Sequence, residues 1–353
     1  MMKTETLLNE TLAFAGNGYL TRRRATIVVC ALCLALLLAT LLSMAIGSES
    51  IPLGQLMMIL PAKLLGQTPP LSREQEVILF SLRLPRIAMA LGVGAALGVA
   101  GAAFQALLRN PLADPYVLGV SGGAALGSIL AIMLASQYTM SRPLFGFAGA
   151  CASTFVVYQI GRRRDAPAHL ILAGVVISTF LSSVIVLLTA LADNIRLRNI
   201  TLWLLGDLSS GTTEATIFVI ASAIGGACLL VTQSRALNLL MIGEREAFSM
   251  GIEIARVRLI VYLTASLLTG AAVTAGGAIG YVGLVVPHLV RLAGGADNRL
   301  VIPASAASGA LLVLLSDTIA RTALAPRELP TGAITALIGA PVLIYLLMRT
   351  RHA

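Results

Sequence analysis

Apolar runs of about twenty residues recur along the whole chain, separated by short polar stretches that carry most of its charge. Runs of that length let a helix cross a bilayer with every backbone group bonded internally, whereas a β-barrel would show short alternating segments. The pattern predicts spans at roughly 25–46, 84–107, 117–136, 143–160, 169–192, 213–233, 257–275, 276–292, 302–322 and 331–348, ten in all. The seventh and eighth are divided by Gly276, Gly277, Gly280 and Gly283, which fit either a tight turn or a broken helix. The first run, near Thr26 to Ile46, is too long for a signal-peptide core and lacks a convincing cleavage site, so it reads as a retained span.

Two connections are long enough for structure of their own. Residues 47–82 contain P-L-G-Q-L-M-M-I-L-P-A-K-L-L-G, which reads as an interfacial helix. Residues 193–212 contain Trp203, the only tryptophan, which reads as an interface anchor. A third, 234–256, reads as two short helices broken at Gly243 and Gly251. The organisation is an N-terminal cytoplasmic segment at 1–24, one transmembrane domain at 25–349 and a cytoplasmic tail at 350–353.

Composition agrees: 57% of the 353 residues are hydrophobic and only 12% are charged, against about a quarter in a soluble domain. The net charge of +9 does not point to nucleic acid, because the basic residues flank spans instead of forming one stripe. The side that holds Arg22–Arg24, Arg109 and Arg162–Arg164 takes 16 of the 25 Lys and Arg, which predicts that both termini are cytoplasmic.

The chemistry is sparse. Cys30 and Cys33 sit inside the first span without a second pair, so they read as ordinary apolar positions rather than a metal or redox site. His169, His288 and His352 form no cluster of metal-ligand spacing, and the sequence implies no metal, cofactor or catalytic group. Neither Lys3 nor Lys63 follows a glycine, so the chain cannot build a standard P-loop by itself. The near absence of acidic residues from the middles of the spans argues against an ion-coupled secondary transporter.

Six motifs stand out: L-R-L-P-R (82–86), R-N-P-L-A-D-P-Y-V-L-G-V-S-G-G-A (109–124), G-E-R-E-A-F-S-M-G-I (243–252), G-A-I-G-Y-V-G-L-V-V-P-H-L-V-R (277–291), S-D-T-I-A-R (316–321) and E-L-P-T-G-A-I-T-A-L-I-G-A-P (328–341). Together they resemble the FecCD-type permeases, the iron-chelate and vitamin B12 permease family of bacterial ABC importers. The resemblance implies an all-α, type II importer permease of ten helices in the inner membrane, working as a homodimer. It also implies two copies of an ABC ATPase subunit inside, and a periplasmic or lipoprotein substrate-binding protein outside. The expected cargo is an iron chelate, siderophore or haem. Vitamin B12 is the alternative within the family, and an ion-coupled carrier or a scaffold without transport the alternatives outside it.

The resemblance assigns roles to particular residues, each with a plainer reading beside it. Arg83, Arg86 and Arg321 match positions that meet acidic residues of the binding protein; otherwise they are arginines snorkelling at helix ends. Gly243, Glu244, Ala247 and Gly251 match the segment that couples to the ATPase, with Ala247 and Gly251 small enough to seat in a cleft; otherwise the segment is an amphipathic loop. Pro167 and Ala168 match the cytoplasmic gate, where small hydroxyl residues are expected in vitamin B12 permeases, so the departure favours another cargo. Ser178 and Ser182, with Thr179 and Ser183, either line the pathway or bond neighbouring helices. R-N-P-L-A-D-P reads as a turn in which Asp114 caps the following helix.

Overall fold

The computed structural model describes residues 22–349 except 48, 50, 65–71, 136, 137, 139, 162–166 and 210. The segment before Arg22, the run Arg162–Arg164 and the tail 350–353 lie outside the described residues.

Every regular element among the described residues is helical. Helix α1 (Arg22–Ala45) is followed by the short α2 (Leu53–Leu64) and by α3, which runs over 36 residues, Arg73–Leu108. A short 3-10 turn, Pro115–Leu118, leads into α4 (Val120–Leu134), α5 (Ser141–Gly161) and α6 (Pro167–Ala190). Next come the short α7 (Asn194–Leu204), α8 (Thr213–Thr232) and the pair α9 (Ser234–Ile242) and α10 (Glu244–Ser249). The chain ends with α11 (Ile254–Gly276), α12 (Val282–Gly294), α13 (Asn298–Thr322) and α14 (Thr331–Arg349). Eight of these helices are long and apolar enough to cross a membrane, and the shorter apolar α4 and α12 complete the expected ten.

Local chemistry explains where several helices begin. Ser72 and Gln75 form a reciprocal capping box at the start of α3, Asp193 caps α7, and Thr212 caps α8. Helix α3 therefore starts at Arg73, well before the expected residue 84. Its Val77–Arg83 portion is a π-helix, with the Leu84 N–H donating to the Leu79 carbonyl. Pro85 follows directly. A proline ring collides with the carbonyl four residues back in a regular helix, and the wider turn gives it room.

Helix α3 is the axis of the bundle: every residue from Ala96 to Leu108 is buried. An apolar helix can be surrounded this way only if its neighbours approach closely, which small residues allow. A Cβ added to Gly94 or Gly98 would overlap the backbone of Gly309 or Ser305 on α13, and one added to Gly101 would overlap the Gly283 carbonyl on α12. Tyr262 on α11 fills the space beside them, edge-on to Phe104 at 6.0 Å and 5.6 Å from Tyr158 of α5.

The glycines after α11 make a broken helix. Gly277 adopts φ +74°, a conformation that suits glycine, and its Cα lies against the Trp203 carbonyl where a side chain would not fit. Trp203 itself is only 2% exposed, which corrects its reading as an interface anchor: it sits on the buried face of α7, with Ile200.

Candidate functional site

Polar side chains gather at two opposite ends of the bundle. At one end lie the termini of α1, α3 and α13 and the loop 323–330; at the other lie the 109–119 loop, α9 and α10.

At the first end the structure brings Arg83, Arg86 and Arg321 together, but not as exposed arginines. Arg83 and Arg321 are 5% and 8% exposed. The hub is Asp317, fully buried on α13: its Oδ1 accepts from Arg86 Nε at 2.9 Å, and its Oδ2 pairs with Arg321 Nε at 3.2 Å. Thr331 donates to the same carboxylate at 3.1 Å. Arg86 Nη1 reaches outward to Glu328 Oε2 at 2.7 Å. Arg321 Nη2 donates to the Ser43 hydroxyl, and Arg83 to the carbonyls of Met44 and Glu49, so both also fasten α1 and its following turn. The physical reason is that a guanidinium at a helix end within an apolar bundle needs a partner once it is desolvated. Asp317 was not singled out in the sequence, although its i,i+4 spacing to Arg321 and its place as a lone acid in an apolar run were visible.

At the second end Gly243 and Gly251 break the segment as expected, Gly251 at φ +80° with open space around it. Glu244 holds Arg109, at the end of α3, and Arg258 of α11, the latter at 3.1 Å. Ala247 is fully buried within the chain, which corrects its reading as a seat for another protein: the short α10 turns that face toward the bundle. What it exposes instead is Phe248 at 74%, flanked by Ile242 and Met250.

A second cluster, missed in the sequence, pins α9. Asn238 donates to Asp297 at 2.8 Å and accepts from the backbone and side chain of Asn298. Arg291, buried on α12, donates to Asn298 at 3.0 Å and to the carbonyls of Ala102 and Ala296. Asp114 acts as a cap, through the Tyr116 N–H at 2.9 Å, but of the 3-10 turn rather than of the helix α4, which starts from Gly119 without a side-chain cap. Burial raises its carboxyl above the ordinary value, against that hydrogen bond.

On α6, Pro167 opens the helix and Ala168 is exposed. Ser182 is exposed, and the Ser178 hydroxyl is buried without a partner. Thr179 and Ser183 donate to carbonyls of their own helix, at 2.9 and 3.0 Å, rather than to neighbours. Among the described residues no three His, Cys, Asp or Glu side chains gather into a group that could hold a metal.

Known proteins resemble this chain in sequence and fold. The chain is 39% identical to the hemin transport system permease HmuU of Yersinia pestis over 282 residues, 78% of this chain and 84% of that one. It is 35% identical to the vitamin B12 import permease BtuC of Klebsiella pneumoniae over 336 residues, 95% and 97% of the two chains. A solved structure described as a metal-chelate type ABC transporter in an inward-facing conformation superposes with a TM-score of 0.79, at 32% identity, covering 92% of this chain and 99% of that one. The model of the FecCD transport family matches residues 35–349. With ten apolar helices, paired polar ends and relatives that are permease subunits of import systems, the chain belongs to the FecCD transport family.

Proposed function

We propose that the chain is the membrane subunit of an ATP-driven importer that carries an iron chelate, siderophore or haem, across the bacterial inner membrane. Two copies form the pathway. Two ATPase subunits dock at the Glu244 end, which faces the cytoplasm with both termini, and a periplasmic or lipoprotein binding protein docks at the Arg86 end. The observation that carries this reading is the exposed apolar tip of α9–α10. Ile242, Phe248 and Met250 project from a segment that Glu244 and Asn238 hold rigidly to the bundle. An exposed apolar patch on a fixed support suits a protein partner, and the chain's lack of a P-loop motif gives an ATPase partner a task.

Arg83, Arg86 and Arg321 then serve the binding protein from a pre-positioned cluster rather than as free side chains. Gly243 and Gly251 shape the coupling segment and Glu244 anchors it; Pro167 and Ala168 begin the helix that gates the pathway; Ser178 and Ser182 face its wall.

Vitamin B12 is the second reading, favoured by the near full-length match to the Klebsiella permease. The Pro167–Ala168 pair speaks for the iron chelate. The deciding experiment reconstitutes the permease with its ATPase and binding-protein partners, and measures ATP-dependent uptake of haem, ferric siderophores and cobalamin. Uptake of haem or a siderophore supports the first reading, uptake of cobalamin the second, and ATP-independent uptake overturns both.

A further inference from the structure

The cluster around Asp317 is nearly self-neutralising, and its two acids differ in kind. Asp317 is fully buried and bonds inward to Arg86, Arg321 and Thr331. The Glu328 side chain is 52% exposed and pairs with Arg86 Nη1, on the outward side of the guanidinium, at 2.7 Å. The loop that bears it is fastened next door, where the Leu329 N–H donates to the Ala320 carbonyl at 3.0 Å. Rotating the Glu328 side chain would therefore free Arg86 Nη1 without opening the loop or disturbing the Arg86–Asp317 bond.

We propose that Glu328 is a built-in substitute for the carboxylate of the binding protein: it occupies Arg86 in the resting permease and is exchanged for the partner's acid on docking. This rests on the docking reading above. Asp317 keeps the guanidinium aimed outward throughout, so an incoming carboxylate meets a positioned fork of donors. The exchange replaces one ion pair with another, which limits affinity and leaves little net change in salt sensitivity. An acidic surface patch without a carboxylate at the right place would gain nothing from the exchange, because the cluster shows little free positive charge while Glu328 is bound.

The test uses the full permease–ATPase complex in nanodiscs and its purified binding-protein partner. The concentration that half-maximally stimulates ATP hydrolysis is read at several ionic strengths. Glu328→Gln preserves the shape but not the charge. It should lower that concentration by about fivefold, and the salt dependence should become steeper because docking now adds an ion pair. Glu328→Ala should move both readouts the same way. Arg86→Ala should raise the concentration. If Arg86→Ala raises it while both Glu328 variants leave it unchanged or raise it too, the substitution idea is overturned and docking at Arg86 stands. If Arg86→Ala has no effect, docking at this site falls and the idea with it.

Discussion

Glu244 accepts the guanidinium of Arg109, a residue 135 positions earlier in the chain. Arg258 reaches the same carboxylate oxygen at 3.1 Å. The end of α3, the start of α11 and the opening turn of α10 thus meet on one side chain, which joins the most buried of the long helices to the exposed tip of α9–α10.

Glu244→Ala should free both arginines. The group is partly exposed, so the loss of stability should be modest, about 1 kcal/mol. The larger effect should be functional: in proteoliposomes containing the partner proteins, more ATP should be hydrolysed per molecule taken up. An unchanged ratio would reduce Glu244 to a surface ion pair.

Replacing Phe248 and Met250 with glutamate should leave insertion into the membrane intact, because both side chains point away from the bundle. Copurification of a tagged ATPase with the permease should fall sharply, since a central apolar anchor commonly contributes about 2 kcal/mol or more. Retained copurification would place the ATPase elsewhere.

Gly101→Ala should lower the yield of folded permease and its apparent melting temperature, because the added methyl overlaps the Gly283 carbonyl; overpacking of this kind costs about 1–3 kcal/mol. Gly225→Ala on α8, where nothing lies within 4 Å, is the matched control and should be neutral or better. Equal behaviour of the two would contradict the close approach of α3 and α12.

Arg83→Glu should fail to accumulate as folded protein, whatever its part in docking. The guanidinium is buried and donates to the Met44 carbonyl at 2.7 Å. A carboxylate in its place would be desolvated and would face carbonyl oxygens, at a cost of about 3–5 kcal/mol. Detergent-solubilised size-exclusion profiles check this, and a normal monodisperse peak would refute it.

In a background lacking Cys30, Cys33, Cys151 and Cys228, Ala168→Cys should crosslink between two copies in one nucleotide state only. Crosslinking should block uptake, and reduction should restore it. Absence of crosslinks in every state, with a working control at the dimer interface, would move the gate away from the start of α6.

Much of this was legible in the sequence, for definable reasons. Span number followed from run length, because a bilayer imposes a minimum on every crossing helix. Asp114 was readable as a cap, because capping acts within three residues. Partners drawn from distant helices were not. Nothing local in R-L-P-R says that Asp317 waits on α13 to bury Arg86, and nothing in E-R-E-A-F-S-M-G says which face of so short a helix turns inward. Ala247 and Trp203 were misjudged on that account: their surroundings are set by packing, while their types alone suggested surface roles.

The break between α11 and α12 takes on a mechanical meaning beside the Arg291 cluster. Helix α12 is a rod of 13 residues with Pro287 inside it, about 20 Å long. At one end it is clamped through Arg291 and Asn298 to α9. At the other it hangs on an extended stretch of four residues, Gly277–Gly280, that carries no helical bonds. A rod held firmly at its base and hinged at its tip acts as a lever. If the ATPase docks at the α9–α10 tip as proposed, force applied there would enter α12 through Asn238 and Asn298 and would find its least restrained point at Gly277–Gly280.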